Sequence, residues 1–134
     1  MREYSYAFAA VDNSELRLEW ISKLEEECFR IAILVHPRSY VAPSAQLCKG
    51  TLVGPMAVVN TDSVLATGCI IAAGAVVDQN CFIGDGCRIG VNAAGSIYCT
   101  CENQGGVQGR IYTEEVYRIV WTSLEREGQC IANT

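Results

Sequence analysis

The sequence has little histidine and fewer positive than negative charges. Its 134 residues contain one histidine, His36, and 10 lysines and arginines against 15 aspartates and glutamates, which gives a formal net charge of −5. A single histidine excludes the clustered-histidine sites of metal-dependent hydrolases, so we expect no metal site. The acidic balance argues against a nucleic-acid partner and against binding to an anionic membrane surface.

Long apolar runs are also absent. No stretch approaches the roughly 20 apolar residues that are needed to span a bilayer. Met1 is followed by Arg2 and Glu3, and no small-residue cleavage site follows an apolar segment, so we expect no signal peptide. We therefore expect a cytoplasmic protein with no membrane segment. Half of the residues are hydrophobic and 19% are charged, which is typical of a globular domain.

Cysteine is abundant, with eight residues in the chain. An even number of cysteines can indicate disulfide bonds, but a chain without a secretory signal favours free thiols. Cys99 and Cys101 form the one closely spaced pair. A zinc site needs further ligands at matching spacing, and no second pair supplies them, so zinc is the weaker alternative.

The strongest pattern in the sequence is a repeat of six residues. A branched aliphatic residue recurs at every sixth position from 41 to 89, and a small residue follows four positions after each one. The aliphatic series is Val41, Leu47, Val53, Val59, Leu65, Ile71, Val77, Ile83 and Ile89; the small series is Ala45, Thr51, Ala57, Ser63, Cys69, Ala75, Cys81, Cys87 and Ala93. Neither a helical period of 3.6 nor a strand period of 2 produces these two series.

This spacing predicts a parallel β-helix with three flat faces. Each face contributes one bulky aliphatic side chain to the interior, and each corner needs a small residue, so three hexapeptides make one coil. Residues 41–94 then form three coils, stacked at about the 4.8 Å spacing of paired strands. The predicted vertical columns are Val41–Val59–Val77, Leu47–Leu65–Ile83 and Val53–Ile71–Ile89. Cys69, Cys81 and Cys87 are then small residues at interior corners rather than ligands.

The flanking segments are predicted to cover the ends of the β-helix. Residues 4–11 read as a strand, 14–27 as a helix with an apolar face, and 29–35 as a buried parallel strand, which together make half of a βαβ unit. The predicted face of this helix consists of Leu16, Trp20, Ile21 and Leu24. The aliphatic series breaks at Gly95. We therefore expect a loop over 98–110 and a second helix from Thr113 to about Glu127.

We accordingly divide the chain into three parts. Residues 1–37 form a partial α/β segment, residues 38–97 form the β-helix, and residues 98–134 form a loop and a C-terminal capping helix. The predicted fold class is mainly β, with a strand-helix-strand unit before the β-helix and a helix after it.

The hexapeptide series resembles the left-handed β-helix acyltransferases. Residues 8–94 further resemble the sialic-acid O-acetyltransferase and UDP-amino-sugar N-acetyltransferase family. The stretches that carry this likeness are FAAVDNSELR (8–17), LVHPRSYVAPSA (34–45) and CIIAAGAVVDQNCFIGDGCRI (69–89). The resemblance implies a homotrimer with acetyl-CoA as a co-substrate in the cleft between adjacent subunits. It implies no tightly bound cofactor, and an acceptor that is an amino or hydroxy group of a sugar or sugar nucleotide.

The same resemblance places the functional residues. The general base of the family is a histidine within a short polar segment that ends in cysteine, and here that segment is Asp78-Gln79-Asn80-Cys81. Gln79 and Asp78 are therefore the candidate catalytic residues. The candidate cofactor-binding residues are Arg88 and Gly74, and the candidate substrate-binding residues are Asn60, Asn80, Asp12 and Asn13.

Several positions depart from the family pattern. Gln79 stands where the histidine is expected, and it cannot accept a proton near neutral pH. The Asn-Thr pair of the family is Ala72-Ala73 here, and the Gly-rich half of the first βαβ unit and the later coils have no counterpart. Whether the protein is an enzyme therefore stays open. The alternative is a non-catalytic trimeric binding or scaffold protein that keeps the fold with a degenerate site.

Two residues, His36 and Arg88, can each be assigned two alternative roles. His36 is either a substitute base or the His-Pro junction at which the family's chain enters the β-helix, and we favour the junction. Arg88 either pairs with a phosphate of CoA or forms a surface ion pair with Asp85. Gly84 and Gly86 are corner residues in this interpretation rather than a phosphate cradle, because no helix begins after them.

Overall fold

A computed structural model describes residues 4–95, 100–101 and 106–107, with side chains described for residues 4–93. It contains one helix, α1 (Ser14–Glu26), and a series of two-residue strands. The strands are β1 (Tyr6–Ala7), β2 (Arg30–Ile31), β3 (Leu34–Val35), β4 (Tyr40–Val41), β5 (Gln46–Leu47), β6 (Leu52–Val53), β7 (Val58–Val59), β8 (Val64–Leu65), β9 (Ile70–Ile71), β10 (Val76–Val77), β11 (Phe82–Ile83), β12 (Arg88–Ile89), β13 (Ala94–Gly95), β14 (Thr100–Cys101) and β15 (Gly106–Val107).

The first elements form the predicted half of a βαβ unit. β1 and β2 pair in parallel, with Tyr6 opposite Arg30, and α1 connects them. Asn13 begins the helix, because its side chain accepts a hydrogen bond from the backbone N–H of Leu16 at 2.8 Å. This is the usual way of satisfying a free N–H group in the first helical turn. The helix ends at Glu26, one residue before the predicted end.

The rest of the described chain is a left-handed parallel β-helix, as predicted. Its three faces are sheets with the strand orders β13-β10-β7-β4, β14-β11-β8-β5 and β15-β12-β9-β6-β3. Strands three apart in the chain therefore lie side by side, as expected when three hexapeptides make one coil. The observed register pairs Val41 with Val59 and Val59 with Val77. The other two predicted columns are confirmed in the same way.

The aliphatic columns fill the interior. The inward residue of each central strand is buried, whereas its neighbour is usually half-buried on the outer face, as strand alternation requires. Val53, Val59, Leu65 and Ile71 are all 0% exposed. The corner cysteines Cys69, Cys81 and Cys87 are buried free thiols, as predicted. Burial raises the pKa of the Cys69 thiol well above its ordinary value, so this thiol stays protonated and unreactive. Cys28 is also free, but the expectation of free thiols is wrong for Cys48, which is disulfide-bonded.

The β-helix extends beyond the predicted stopping point at Gly95. β13, β14 and β15 continue the six-residue step and pair in register with β10, β11 and β12. At the other end, β3 precedes the predicted first coil and pairs with β6. The ladder is built from backbone groups, so it continues where the branched aliphatic residues stop. The predicted loop over 98–110 therefore contains two strands. The predicted C-terminal helix lies outside the described residues, and the domain boundaries stay predictions.

Two details of the N-terminal unit differ from the prediction. Residues 29–35 are not one buried strand, because β2 and β3 belong to different sheets, and Leu34 and Val35 are exposed on the first strand of the β-helix. The predicted apolar face of the helix is buried only in part. Ile21 is buried and Leu24 half-buried as predicted, but Leu16 and Trp20 are exposed, and the buried polar residue Arg17 lies outside the predicted face. Among the described residues, no helix is long and apolar enough to cross a membrane.

A substitution that leaves a cavity in a central aliphatic column should strongly destabilise the β-helix. Ile71 is 0% exposed and lies between Val53 and Ile89 in one column. We expect Ile71→Ala to lower the free energy of unfolding by about 2–5 kcal/mol, because neighbouring coils cannot close the cavity. The matched control is Ile33→Ala at an exposed position, for which we expect a change within about 1 kcal/mol. Denaturant unfolding measures both, and equal shifts would contradict the assignment of the core.

Candidate functional site

Asn60 and Asp78 form a polar pair on one corner of the β-helix. They occupy equivalent positions on adjacent coils, one residue after Val59 and Val77, which are paired in the register. The Asn60 Nδ2 atom donates to Asp78 Oδ1 at 3.3 Å, and the backbone N–H of Gln79 donates to the same oxygen at 2.8 Å. Ser63 Oγ donates to the backbone carbonyl of Asp78. This network fixes a half-buried carboxylate at the corner.

Gln79 and Asn80 follow on the same corner with exposed side chains. The Asn80 backbone is left-handed, with φ of 58°, and its N–H donates to the carbonyl of Thr61 at 3.0 Å on the coil below. Asparagine tolerates this conformation better than most residues, so Asn80 also has a turn-forming role. The corner thus presents three amides and two carboxylates but no imidazole; the amides are those of Asn60, Gln79 and Asn80, and the carboxylates are those of Asp62 and Asp78.

Arg88 and Asp12 form a second polar group. Arg88 lies on the outer face of β12, and its Nη1 atom is 3.6 Å from Asp12 Oδ1 in the segment that precedes α1. The Asp12 side chain is 97% exposed and that of Arg88 is 40% exposed. A solvated pair of this kind contributes little to stability, so the guanidinium stays available to an anionic ligand. Asp85, which the sequence offered as the partner of Arg88, accepts a hydrogen bond from the backbone N–H of Thr67.

Two further candidates have structural roles. Asn13 is the N-terminal cap of α1, so its side-chain oxygen is engaged by the helix. Gly74 takes a left-handed turn with φ of +70°, and a Cβ atom there would collide with Asn92 on the next coil. Gly74 lies at the corner between β9 and β10, and the positive φ of the turn there favours glycine.

His36 forms part of the junction between the N-terminal unit and the β-helix. Its Nδ1 atom accepts a hydrogen bond from the backbone N–H of Arg38 at 3.0 Å, and its carbonyl accepts from Ser39. With Nδ1 used to hold the turn, the arrangement favours the structural interpretation of this histidine over the role of a substitute base.

The candidate residues therefore fall into separate groups around one chain. Asn60, Asp78, Gln79 and Asn80 lie at the corner that follows the sheet of β7 and β10, whereas Arg88 lies on the sheet of β9 and β12. Gly74 lies at the corner between those two sheets. No hydrogen bond or ion pair among residues 4–93 joins Asp78 to Arg88.

Solved structures that resemble this chain include acetyltransferases. Perosamine N-acetyltransferase from Caulobacter crescentus, as a histidine-to-asparagine mutant in complex with CoA and GDP-perosamine, matches with a TM-score of 0.51 at 21% identity. The match covers 80% of this chain and 62% of the enzyme. The chain has the acyltransferase β-helix fold.

Two more structures with this acyltransferase fold match less closely. The acetyltransferase domain of PglB from Neisseria gonorrhoeae matches at 21% identity, with a TM-score of 0.42 and coverage of 77% of this chain and 62% of the domain. WeeI from Acinetobacter baumannii matches at 14% identity, with a TM-score of 0.44 and coverage of 84% and 70%. No protein-family description and no curated protein matches the sequence. The chain spans about 62% of the length of the first two of these structures.

The sequence analysis missed Arg17, the residue that fastens α1 to the acyltransferase fold. Arg17 is 0% exposed. Its Nε donates to the carbonyl of Gly68 at 2.8 Å and its Nη2 to that of Gly86 at 2.9 Å, on two successive coils. Its Nη1 donates to the carbonyls of Val11 and Asp12, both at 2.9 Å. One side chain thus ties two coils to the segment that carries Asp12.

A column of glycines makes room for this contact. Gly50 and Gly68 each take a left-handed turn, and a Cβ atom at either position would lie 2.7 to 3.1 Å from side-chain atoms of Leu18 or Ile21. Gly86 occupies the equivalent position on the next coil, also with positive φ. Three glycines at a spacing of 18 residues were the available sequence signal, because at the other two corners the equivalent positions hold larger residues such as Met56 and Asn80, with Gly74 as the exception. Burial lowers the pKa of the Arg17 guanidinium, but arginine stays protonated in proteins.

Proposed function

We propose that this protein is an acetyltransferase-like protein. The donor is acetyl-CoA, and the acceptor is an amino or hydroxy group of a sugar or sugar nucleotide. The fold it shares with perosamine N-acetyltransferase supports the reaction class. The observation that carries the proposal further is the separation of the Asp78 group from Arg88, which suits a site shared between adjacent subunits. We therefore propose a homotrimer, and we keep the cytoplasm as its expected location.

In this proposal Arg88 binds the donor, and the Asp78 corner binds the acceptor. Arg88 binds an anionic part of acetyl-CoA, because a guanidinium suits a phosphate. The corner of the neighbouring subunit holds the acceptor, with Asn60, Asn80 and Gln79 offering amide groups to sugar hydroxyls. Asp12, beside Arg88, is also placed to meet the acceptor. The acceptor nitrogen or oxygen attacks the thioester carbonyl, the C–S bond breaks, and CoA leaves as a thiolate that is then protonated.

The proton of the acceptor can pass to a carboxylate at this corner. Asp78 precedes Gln79, which cannot serve as a base. Asp62, on the preceding coil, is the other carboxylate of the corner. Positioning can still accelerate transfer to an acceptor that is already unprotonated. Absence of the family's histidine base should cost about 10²–10⁴ in rate, so we expect slow transfer.

Acetyl-CoA binding tests the proposal. We expect calorimetry to give a dissociation constant in the micromolar range, with one site per chain and a solution mass of three chains. Arg88→Gln should weaken binding about tenfold or more, because it removes a charge-assisted contact. The matched control is Arg38→Gln, since Arg38 is exposed and lies at the His36 junction. Absence of heat with millimolar acetyl-CoA, or a monomeric mass, would contradict the proposal.

A non-catalytic trimeric binding or scaffold protein is the second candidate. The observation in its favour is the local chemistry at the corner, where Gln79 replaces the expected base and Asp78 Oδ1 already accepts two hydrogen bonds. On this alternative the protein forms a trimer but transfers no acetyl group, even with acetyl-CoA and an acceptor in excess.

A further inference from the structure

The sheet formed by β1 and β2 has one covered face and one open face. Ala7 and Ile31 are half-buried on the side of α1, which contacts β2. Tyr6 and Arg30 are register partners, so their side chains stand together on the opposite face. Tyr4 and Cys28 lie just before the two strands and border the same face, which is distant in the chain from the Asp78 corner.

This open face is concave. Tyr4, Ser5, Tyr6, Cys28 and Arg30 line a cavity of about 410 Å³, which is within the size range of small-molecule sites. The two tyrosines are large apolar side chains left exposed, at 67% for Tyr4 and 59% for Tyr6. Aromatic faces of this kind suit stacking with a planar ring.

The polar part of the cavity is already organised. The Arg30 guanidinium carbon lies 5.8 Å from the centre of the Tyr6 ring, and its Nη1 donates to the Tyr6 hydroxyl at 3.4 Å. Among the described residues, no carboxylate pairs with Arg30. Of the described residues that line it, Arg30 carries the one charge, and that charge is positive. A guanidinium in this position can offer its remaining N–H groups to a carboxylate.

Nearby charge limits what can bind. Glu25, Glu26 and Glu27 lie at the end of α1 immediately before Cys28, where the helix also carries a partial negative charge. Glu25 is neutralised by Lys49 at 2.6 Å. These groups disfavour a ligand with several negative charges but tolerate one negative charge at the Arg30 end of the cavity.

We propose that this face binds a small aromatic carboxylate, with its ring against Tyr4 and Tyr6 and its carboxylate on Arg30. The site is independent of the acetyl transfer proposed above, because it shares no residue with that site.

Alkylation of Cys28 provides the test. Cys28 is the exposed cysteine among the free thiols described, whereas Cys69, Cys81 and Cys87 are buried. The full chain is treated with N-ethylmaleimide and the modified peptides are mapped by mass spectrometry. We expect phenylacetate at about 10 mM to slow modification of Cys28 about tenfold, as full occupancy of a millimolar site predicts. Acetate, which lacks the ring, and phenylacetamide, which lacks the charge, should change the rate less than about twofold.

Variants identify the groups that bind. Protection is the ratio of the Cys28 modification rates without and with phenylacetate in the same variant, so a change in basal reactivity does not enter it. Arg30→Gln should abolish protection, and Tyr4→Ala should weaken phenylacetate binding about tenfold, in line with the loss of one stacked ring. Arg38→Gln is the matched control, and phenylacetate should protect its Cys28 as strongly as in the original chain. Equal protection by acetate or phenylacetamide, no protection by phenylacetate, or a Cys28 that is unreactive in the free protein would each overturn the proposal. Acetyl-CoA titration of the same samples tests the proposed function independently, so a failure of phenylacetate protection can be distinguished from a failure of acetyl-CoA binding.

Discussion

Replacing Gln79 with histidine is expected to raise the rate of acetyl transfer by about 10²–10⁴. Gln79 is exposed beside Asp78, on the corner where the family's general base is expected. An imidazole can take the proton of the attacking amine or hydroxyl near neutral pH, which the amide of glutamine cannot do. The measurement is release of the CoA thiol with a panel of amino-sugar nucleotides as acceptors.

The pH profile separates a restored base from a general change in the corner. The rate of Gln79→His should fall below a midpoint near about 6.5, the ordinary pKa of histidine. Gln79→Asn is the matched control, because it keeps an amide at this position, and its rate should stay at that of the original chain. A Gln79→His trimer that binds acetyl-CoA but gains no transfer would count against the acetyltransferase and favour the non-catalytic alternative.

The central coils were predictable because they depend on side chains. A three-faced coil needs one branched aliphatic residue per face. The coil is therefore predicted by the six-residue spacing of residues such as Val59, Leu65 and Ile71. The ends of the β-helix were not predictable in the same way. β13 to β15 pair through backbone groups, and the residues in register with the aliphatic columns are Gly95, Cys101 and Val107, of which only the last matches the aliphatic series. A pattern of side chains therefore underestimates the length of a ladder that the backbone can continue.

The candidate site could be predicted only in part, because its arrangement also depends on features that the side-chain pattern does not show. The resemblance named Asp78, Gln79 and Arg88, but the repeat pattern gives no information about which of its corners and faces form one site. The burial of Arg17 was not predicted, because charged residues usually face solvent and nothing in the local sequence marks this one as an exception. Its burial is possible because backbone carbonyls on two coils and before α1 accept its hydrogen bonds, and those carbonyls are invisible in the sequence.

Arg17→Met is expected to lower the free energy of unfolding by about 3–5 kcal/mol. The variant keeps most of the apolar volume but removes the donors to the carbonyls of Val11, Asp12, Gly68 and Gly86. Each buried carbonyl left without a partner costs about 1–3 kcal/mol, and water entering the gap recovers part of that total. Arg17→Lys should recover only a fraction, because one ammonium cannot reach four acceptors that lie around a planar guanidinium. Denaturant midpoints measure both variants.

Arg38→Met is the control for the chemical change itself, since Arg38 is exposed, and it should alter the free energy of unfolding by less than about 0.5 kcal/mol. Limited proteolysis should show where Arg17→Met acts. If Arg17 fastens α1 to the corner of Gly68 and Gly86, cleavage within α1 should become faster, while the central coils stay resistant because their columns do not depend on the helix. An Arg17→Met chain as stable as the Arg38→Met control would mean that α1 is held by Leu18 and Ile21 alone. Equal acceleration of cleavage in α1 and in the coils would mean that the two parts unfold as one unit rather than at the Arg17 contact.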